Sequence, residues 1–264
     1  MRYVYPVVSR RAGGISVGIN LNPNNACNWR CIYCQVPDLK RGGPPPIDLA
    51  LLGDELRRLL ADIVGGDFMA ARVPAEARRL IDVAFSGNGE PTSAAEFPQA
   101  VELAAEILQE MELAASVKLR LITNGSLLDR AAVRGGIAAL GRAHGETWFK
   151  LDAATPAGWM RINGTRQQPD AVLRRLLACA ALCETWVQSC FFALDGMPPD
   201  EASMEGYLAL LREAAGRIAG VHLYSLARPS QQPEAPRLAR LPPEWLDELA
   251  ARIRALGPTV KVSP

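Results

Sequence analysis

The 264-residue chain is predicted to fold as an α/β protein, a single-domain partial (β/α)6 barrel. Three observations carry this expectation. Strand-type and helix-type patterns alternate six times, which implies parallel pairing with right-handed crossovers. Six units are too few for a closed eight-fold barrel, so the sheet should stay open. Polar and Gly-rich residues gather at the ends of the strand-type segments, where barrels and open sheets keep their ligands. No linker of domain-boundary quality interrupts residues 1–264, with the core expected over residues 15–230 and a C-terminal helix and short strand over 243–262.

The elements follow in order. Residues 15–21 alternate as a strand and run into a cysteine-bearing loop, and the Arg41–Pro46 stretch stops regular structure. Asp48 can cap a helix whose apolar positions Leu49, Leu52, Leu56, Leu59, Leu60 and Ile63 recur at helical spacing, with Gly65 at its end. A second strand, 81–86, runs into Gly87-Asn88-Gly89-Glu90-Pro91-Thr92, and a helix starts near Pro98. A strand at 117–122 ends in Thr123-Asn124-Gly125 and precedes a helix at 126–140. A strand at 147–151 ends in Asp152, then a loop leads to a helix at 169–183. A strand at 187–193 precedes a helix at 203–218, and a strand at 221–226 runs into Ala227-Arg228-Pro229. A helix at 243–256 and the short segment Val260–Val262 close the chain.

Composition narrows the function classes. Lys and Arg number 29 against 28 Asp and Glu, for a net charge of +1, so the chain has no broad basic footprint for nucleic acid. No apolar run approaches about 18 residues and Met1-Arg2-Tyr3 opens no signal peptide, so a soluble, cytoplasmic protein without membrane contact is expected. Six cysteines, clustered instead of spread, favour metal chemistry in a reducing compartment over a disulfide framework. With His144 and His222 the only histidines, a metal site must rest on sulfur or carboxylate.

Cys27, Cys31 and Cys34 are spaced C-x3-C-x2-C in an Asn-rich loop broken by Pro23. Closed structural zinc takes four ligands in paired spacings, and no partner pair or His lies nearby. Iron–sulfur clusters normally use four thiolates. Three thiolates on a four-iron cluster leave one iron open to a cofactor or substrate. The loop is too polar to read as three buried structural cysteines.

The run Cys27-Asn28-Trp29-Arg30-Cys31-Ile32-Tyr33-Cys34 resembles the C-x3-C-x-aromatic-C signature of radical S-adenosylmethionine (radical SAM) enzymes, and Gly87-Asn88-Gly89-Glu90-Pro91 resembles the same superfamily's Gly-Gly-Glu motif. The resemblance implies a radical SAM type of partial barrel with one [4Fe-4S] cluster on Cys27, Cys31 and Cys34. It also implies S-adenosyl-L-methionine (SAM) chelated at the open iron. One electron would cleave the sulfonium to give a 5′-deoxyadenosyl radical that abstracts hydrogen from a substrate, with an electron donor such as flavodoxin or ferredoxin.

The resemblance also assigns cofactor contacts. Tyr33 would meet the adenine edge through its backbone, Asn124 would touch the ribose or carboxylate, and Gly87, Asn88 and Gly89 would bring backbone close to the ligand. Glu90 would accept from the ammonium. Lys150 and Asp152 share one strand face, where Asp152 would bind ribose hydroxyls and Lys150 the carboxylate; the alternative is an inward ion pair. Arg228, Gln188 and Tyr224 are candidates for the substrate, an unidentified small molecule, peptide or protein. No side chain is assigned acid–base or nucleophilic catalysis.

The phrasing Gly-Ile-Asn-Leu-Asn-Pro before the cysteines and Ser-Gly-Asn-Gly-Glu-Pro-Thr after them is similar to enzymes related to the tRNA wyosine synthases. Those carry further cysteines upstream, none precedes Cys27 here, and the charge balance disfavours tRNA. Glycyl-radical activases are similar in size. A non-catalytic iron–sulfur or zinc module for electron transfer is the reading from a different class. Gly14-Ile15-Ser16-Val17-Gly18 matches the G-x-S-x-G nucleophile pattern, but Ser16 opens a strand where that motif needs a strand-to-helix turn. Gly87-Asn88-Gly89 fails as a dinucleotide fingerprint because Thr92 stands where the third Gly belongs. Cys179, Cys183 and Cys190 read as buried small hydrophobes, with a second cluster as the alternative.

Overall fold

The computed structural model describes residues 1–9 and 13–263. Strand β1 (Val4–Ser9) pairs antiparallel with β2 (Gly14–Ile19). In the loop after β2, β3 (Ala26–Cys27) and β4 (Lys40–Arg41) form a two-stranded parallel patch. The chain continues through α1 (Leu49–Gly65), α2 (Phe68–Arg72), β5 (Leu80–Phe85), α3 (Phe97–Glu110), β6 (Lys118–Thr123), α4 (Ala131–Arg142) and β7 (Glu146–Lys150). Next come α5 (Pro156–Asn163), α6 (Pro169–Leu182), β8 (Glu184–Cys190), β9 (Phe192–Leu194) and α7 (Glu201–Ala214). β10 (Gly220–Tyr224), β11 (Leu238–Arg240), α8 (Pro243–Arg254) and β12 (Thr259–Ser263) complete it.

The main sheet runs β1-β2-β5-β6-β7-β8-β10-β12, and every pair from β2 onward is parallel. Strand order follows chain order, so the sheet advances in one direction, as a barrel does, instead of winding to both sides. Among the described residues β1 and β12 do not pair, and the sheet stays open. The six expected strands correspond to β2, β5, β6, β7, β8 and β10. The segment at 260–262 proves to be a seventh parallel strand, paired with β10.

Several boundaries differ from expectation for identifiable reasons. β1 carries Pro6 in its middle, which weakens a strand pattern but is tolerated on an edge. Its start is held by Glu55 of α1, whose carboxylate accepts from the backbone N–H groups of Arg2, Tyr3 and Val4. Helix α4 begins at Ala131, not 126, because Asn124 takes the Ser126 N–H at 3.0 Å and folds the intervening residues into a turn. The stretch read as a loop after Asp152 contains α5, capped by Thr155, started by Pro156 and stopped by Gly164 at φ 60°. The strand expected at 187–193 breaks at Phe191, whose N–H bonds to the carbonyl of Tyr224, and β9 leaves to pair with β11. Asp48 caps α1 as expected, accepting from Leu51 N–H at 3.0 Å.

The two faces of the sheet differ in chemistry. Val17, Ile19, Val83, Phe85, Leu119, Leu121, Phe149, Val187, Val221 and Leu223 are buried in the main apolar core with the inward stripes of the helices. On the alternate positions the residues are polar or aromatic. Near the strand starts, Arg120 lies between Asp82 and Glu146, which both ion-pair with it, and Ser16 donates to Asp82. Above that floor, the His222 ring sits between Trp148 and Trp186, at 4.3 and 4.7 Å. Arg120 stacks on Trp148 and Lys261 on Trp186, each cation 4.1 Å from the ring centre. The next layer holds Lys150 and Gln188, which are register partners at the open end.

Burial raises the Asp82 carboxyl above its ordinary range, against the pull of Arg120. Arg120→Met would leave two buried carboxylates without their cation, a loss of about 3–5 kcal/mol. Without the cation the Asp82 carboxyl rises further, so stability in the variant is favoured at low pH and lost as pH rises. The deficit seen by urea denaturation is therefore expected to be largest near neutral pH and to shrink on acidification. A deficit independent of pH would contradict the floor's electrostatic role.

Candidate functional site

The cysteine loop lies over the open end of the sheet and is fastened from three sides. From the β5 side, the Asn88 amide donates to Asn25 Oδ1 at 2.7 Å, while Asn20 Oδ1 takes the backbone N–H groups of both Asn22 and Asn88. From the end of α5, the carbonyls of Asn163 and Ile162 accept the N–H groups of Arg30 and Ile32, at 3.0 and 2.9 Å. From the segment after β10, Gln231 N–H donates to the Cys34 carbonyl and the Ser230 hydroxyl to the Ile32 carbonyl. A bidentate pair between Arg30 and Glu234 closes that side.

Gly87 and Gly89 permit the first of these contacts. Gly87 has φ 139°, and a Cβ there would come 2.7 Å from Asn20 Oδ1. A Cβ on Gly89 would run into the Ala26 carbonyl and the Asn22 amide. The close approach is thus made to the base of the cysteine loop. Glu90 follows, 3% exposed, and its carboxylate accepts from Thr92 N–H, Thr92 Oγ1, Thr123 Oγ1 and Asn124 N–H. Burial raises its carboxyl above the ordinary range, with those hydrogen bonds opposing. Oε2 has only the Asn124 N–H among these partners, at 2.7 Å, which leaves it acceptor capacity. Asn124 donates to Asn28 Oδ1 at 2.9 Å, and Asn28 donates in turn to Ser126 Oγ at 2.8 Å.

On the opposite side the carboxylate of Asp152 gathers four chain segments. Oδ1 accepts from Cys190 N–H at 3.0 Å and lies 3.6 Å from Lys150 Nζ. Oδ2 accepts from Tyr33 Oη at 2.5 Å and Asn163 Nδ2 at 3.0 Å. A carboxylate offers about four lone-pair directions; three are taken by hydrogen bonds here, and Lys150 adds its charge at 3.6 Å. Lys150 also lies 5.1 Å from the Tyr33 ring centre and 3.3 Å from Tyr224 Oη. Burial opposes the Lys150 ammonium, but Asp152 and its other neighbours outweigh it and hold its pKa well above the usual value. Burial, then Asp152, pushes the Tyr33 phenol well upward.

The remaining candidates fall in different places. Gln188 is buried beside Lys150 in register, and its Nε2 has no hydrogen-bond partner. Arg228 is exposed, beyond the end of β10. Cys179, Cys183 and Cys190 are all buried, and the Cys183 thiol donates to the Gly145 carbonyl at 3.4 Å. Sequence reasoning missed Asn28, Ser126 and Asn163. The clearest signal for Asn163 was the Thr155-Pro156 start and Asn-Gly end of a short helix.

The three loop thiols suit a cluster better than a single ion. Thiolates are the ligands iron–sulfur clusters take, each on its own iron. All three cysteines are free and half-buried. Burial pushes the Cys27 thiol up to about 11 and Cys31 to about 12, and it raises Cys34. Metal binding would have to displace those protons. Hydrogen bonds already point at the sulfurs: Trp29 N–H reaches Cys27 Sγ at 3.4 Å and Asn163 Nδ2 reaches Cys31 Sγ at 3.2 Å.

Comparison with known proteins bears on the same loop. A UPF0026 protein of Helicobacter pylori is 25% identical over 240 residues, 89% of this chain and 68% of that protein. A UPF0026 protein of Methanocaldococcus jannaschii is 28% identical over 179 residues, 65% of this chain and 46% of its own length. A Brachyspira hyodysenteriae protein named GTPase Obg is 28% identical over 135 residues, 50% of this chain, but the match spans only 17% of that protein.

Among solved structures, a radical SAM methyltransferase from Sphaerobacter thermophilus superposes with a TM-score of 0.62 at 16% identity, over 95% of this chain and 66% of that one. Streptococcus suis SuiB bound to its precursor peptide SuiA gives 0.59 at 13% identity, over 93% and 48%. At such identities these two likenesses speak to the fold, an α/β partial barrel. The model of the Radical SAM superfamily matches residues 21–204, which take in the cysteine loop, the Gly-Asn-Gly-Glu strand end and Asp152. With more than half of its length matched, the chain belongs to the radical SAM superfamily.

Proposed function

We propose that this chain is a radical SAM enzyme that holds a [4Fe-4S] cluster on Cys27, Cys31 and Cys34 and abstracts hydrogen from its substrate. The observation that carries the reading is the cysteine loop, fastened on three sides and packed against Glu90 and Asn124. When bound, the cluster and SAM supply a one-electron cleavage that yields methionine and a 5′-deoxyadenosyl radical. Glu90 Oε2, with its remaining acceptor capacity, supports a contact to the amino group of SAM, and Asn124 and Tyr33 support flanking contacts, while Gly87 and Gly89 let the strand end pack on the base of the cysteine loop. The single-domain reading of residues 1–264 belongs to the same proposal and is supported by one sheet running from β1 to β12.

Two assignments change in the light of the geometry. The three hydrogen bonds that Asp152 takes from the cysteine loop, α5 and β8 support a tether for the cysteine loop, in place of a ribose contact. Lys150, paired with it, supports the inward ion pair. The orphaned Nε2 of Gln188, with Tyr224 near Lys150, supports a substrate contact at the open end. Arg228 is retained as an outer contact for an anionic group. The exposed Arg41 and Arg166 beside the loop support docking of an acidic electron donor such as flavodoxin or ferredoxin. No helix among the described residues is long and apolar enough to cross a membrane.

Anaerobic reconstitution followed by dithionite and SAM is expected to release 5′-deoxyadenosine, and Cys27→Ala to release none. A reconstituted cluster that never cleaves SAM would make the chain an electron-transfer module. Asp152→Asn removes the counter-charge of Lys150, and its destabilisation in thermal melts is expected at roughly 3 kcal/mol, with iron content falling in parallel. Wild-type melting and iron content with activity alone lost would restore the ribose assignment. Gln188→Leu removes a buried, unpaired donor and is expected to raise stability by about 1 kcal/mol while slowing substrate turnover more than uncoupled SAM cleavage. Equal effects on both reactions would remove Gln188 from the substrate site.

A further inference from the structure

Asn163 stands outside every motif that led to the site, yet it is fully buried at the end of α5 and reaches the middle thiol of the loop. Its Nδ2 has two acceptors, Cys31 Sγ at 3.2 Å and Asp152 Oδ2 at 3.0 Å, one for each amide proton. Its Oδ1 is buried without a partner. Turning the amide over would set that oxygen against a sulfur and a carboxylate, both acceptors, so the orientation is fixed by its surroundings. A buried carbonyl left unsatisfied is costly. The site keeps that cost to present both N–H groups.

The backbone at this helix end is shaped for the same approach. The Asn163 and Ile162 carbonyls take the N–H groups of Arg30 and Ile32, on either side of Cys31. Gly164 ends the helix at φ 60°, and a Cβ there would sit 3.0 Å from the Arg30 carbonyl. The hydrogen bonds to the other two thiols come from backbone groups, Trp29 and Glu90 at Cys27 and Val36 at Cys34. A side-chain donor aimed at a loop sulfur is found at Cys31.

We infer that Asn163 is a redox-tuning and positioning residue: its amide N–H to Cys31 Sγ favours the reduced state of a cluster held there and so raises its reduction potential. The inference rests on the assignment of Cys27, Cys31 and Cys34 as ligands. Reduction adds one electron to the cluster and makes its sulfurs better acceptors, so a donor on Cys31 is worth more after reduction than before. Hydrogen bonds to ligand sulfurs are among the levers that set iron–sulfur potentials. The second amide proton, on Asp152, ties this donor to Tyr33 and Lys150, which holds it in place.

The test is a redox titration of the reconstituted holoprotein without SAM, followed by the electron paramagnetic resonance signal of the reduced cluster. Asn163→Leu keeps similar bulk and the backbone brace but removes the donor. At the wild-type midpoint, its reduced-to-oxidised ratio is expected to fall about tenfold, a midpoint about 59 mV lower for a one-electron couple, with four irons retained. An unchanged midpoint at full iron content would overturn the inference and leave Asn163 a purely structural residue.

Should the leucine variant fail to hold four irons, wild-type protein labelled with ¹⁵N in its asparagine side chains decides. Hyperfine coupling from an amide nitrogen to the reduced cluster that persists in Asn28→Gln, where the other labelled amide beside a ligand sulfur is gone, supports the donor, and no such coupling overturns it. A wild-type chain that loads no cluster at all would instead refute the ligand assignment.

Discussion

One buried carboxylate joins what the rest of the site needs joined. Asp152 takes a hydroxyl from the cysteine loop, an amide from the end of α5, a backbone N–H from the end of β8 and the charge of Lys150 from the end of β7. A carboxylate so placed is stable only while its partners stay, since each is an ordered donor replacing water. The same condition works in reverse. The cysteine loop has little regular structure of its own, and it keeps one conformation because the barrel end supplies donors and acceptors at fixed positions.

Glu90 does the equivalent work on the other side, drawing the residues after β5 onto the end of β6 through Thr123 and Asn124. Between the two carboxylates the loop spans the mouth of a sheet whose inner face is polar to its floor. Asp82, Arg120 and Glu146 close the bottom with an ion-pair triad, and the two tryptophans around His222 form the layer above. That arrangement follows from the open barrel. Helices cover one face with apolar stripes, while the other face encloses a space too narrow for helices and is filled by long polar and aromatic side chains.

The sequence made much of this legible and left identifiable parts out. The core strands read well because apolar residues recur at every second position, facing the helices, between polar and aromatic ones facing inward. The ligand loop read well because thiol spacing is a local property. The role of Asp152 did not, because two of its partners, Tyr33 and Cys190, are distant in sequence, and a third, Asn163, lies on α5, a helix of eight residues too short to show a periodic apolar stripe. The inward position of Lys150 and Asp152 followed from strand alternation, but alternation says nothing about which donors a carboxylate takes. Glycines 87 and 89 were read as room for a ligand, whereas the structure fills that room with Asn20, Asn22 and Ala26.

A different consequence concerns the durability of the chain. Three Asn-Gly pairs occur around this site, Asn88-Gly89, Asn124-Gly125 and Asn163-Gly164. In an unfolded chain such pairs are prone to deamidation, since the glycine nitrogen easily reaches the side-chain carbonyl carbon. Folding engages the groups that this reaction uses. Gly125 N–H is held by Thr123 Oγ1 and Gly164 N–H by the Trp159 carbonyl, while the amides of Asn88, Asn124 and Asn163 are all engaged as donors. Loosening the cysteine loop would release these restraints, and each deamidation would add a negative charge beside it. The fastenings that shape the site thus also slow its chemical ageing.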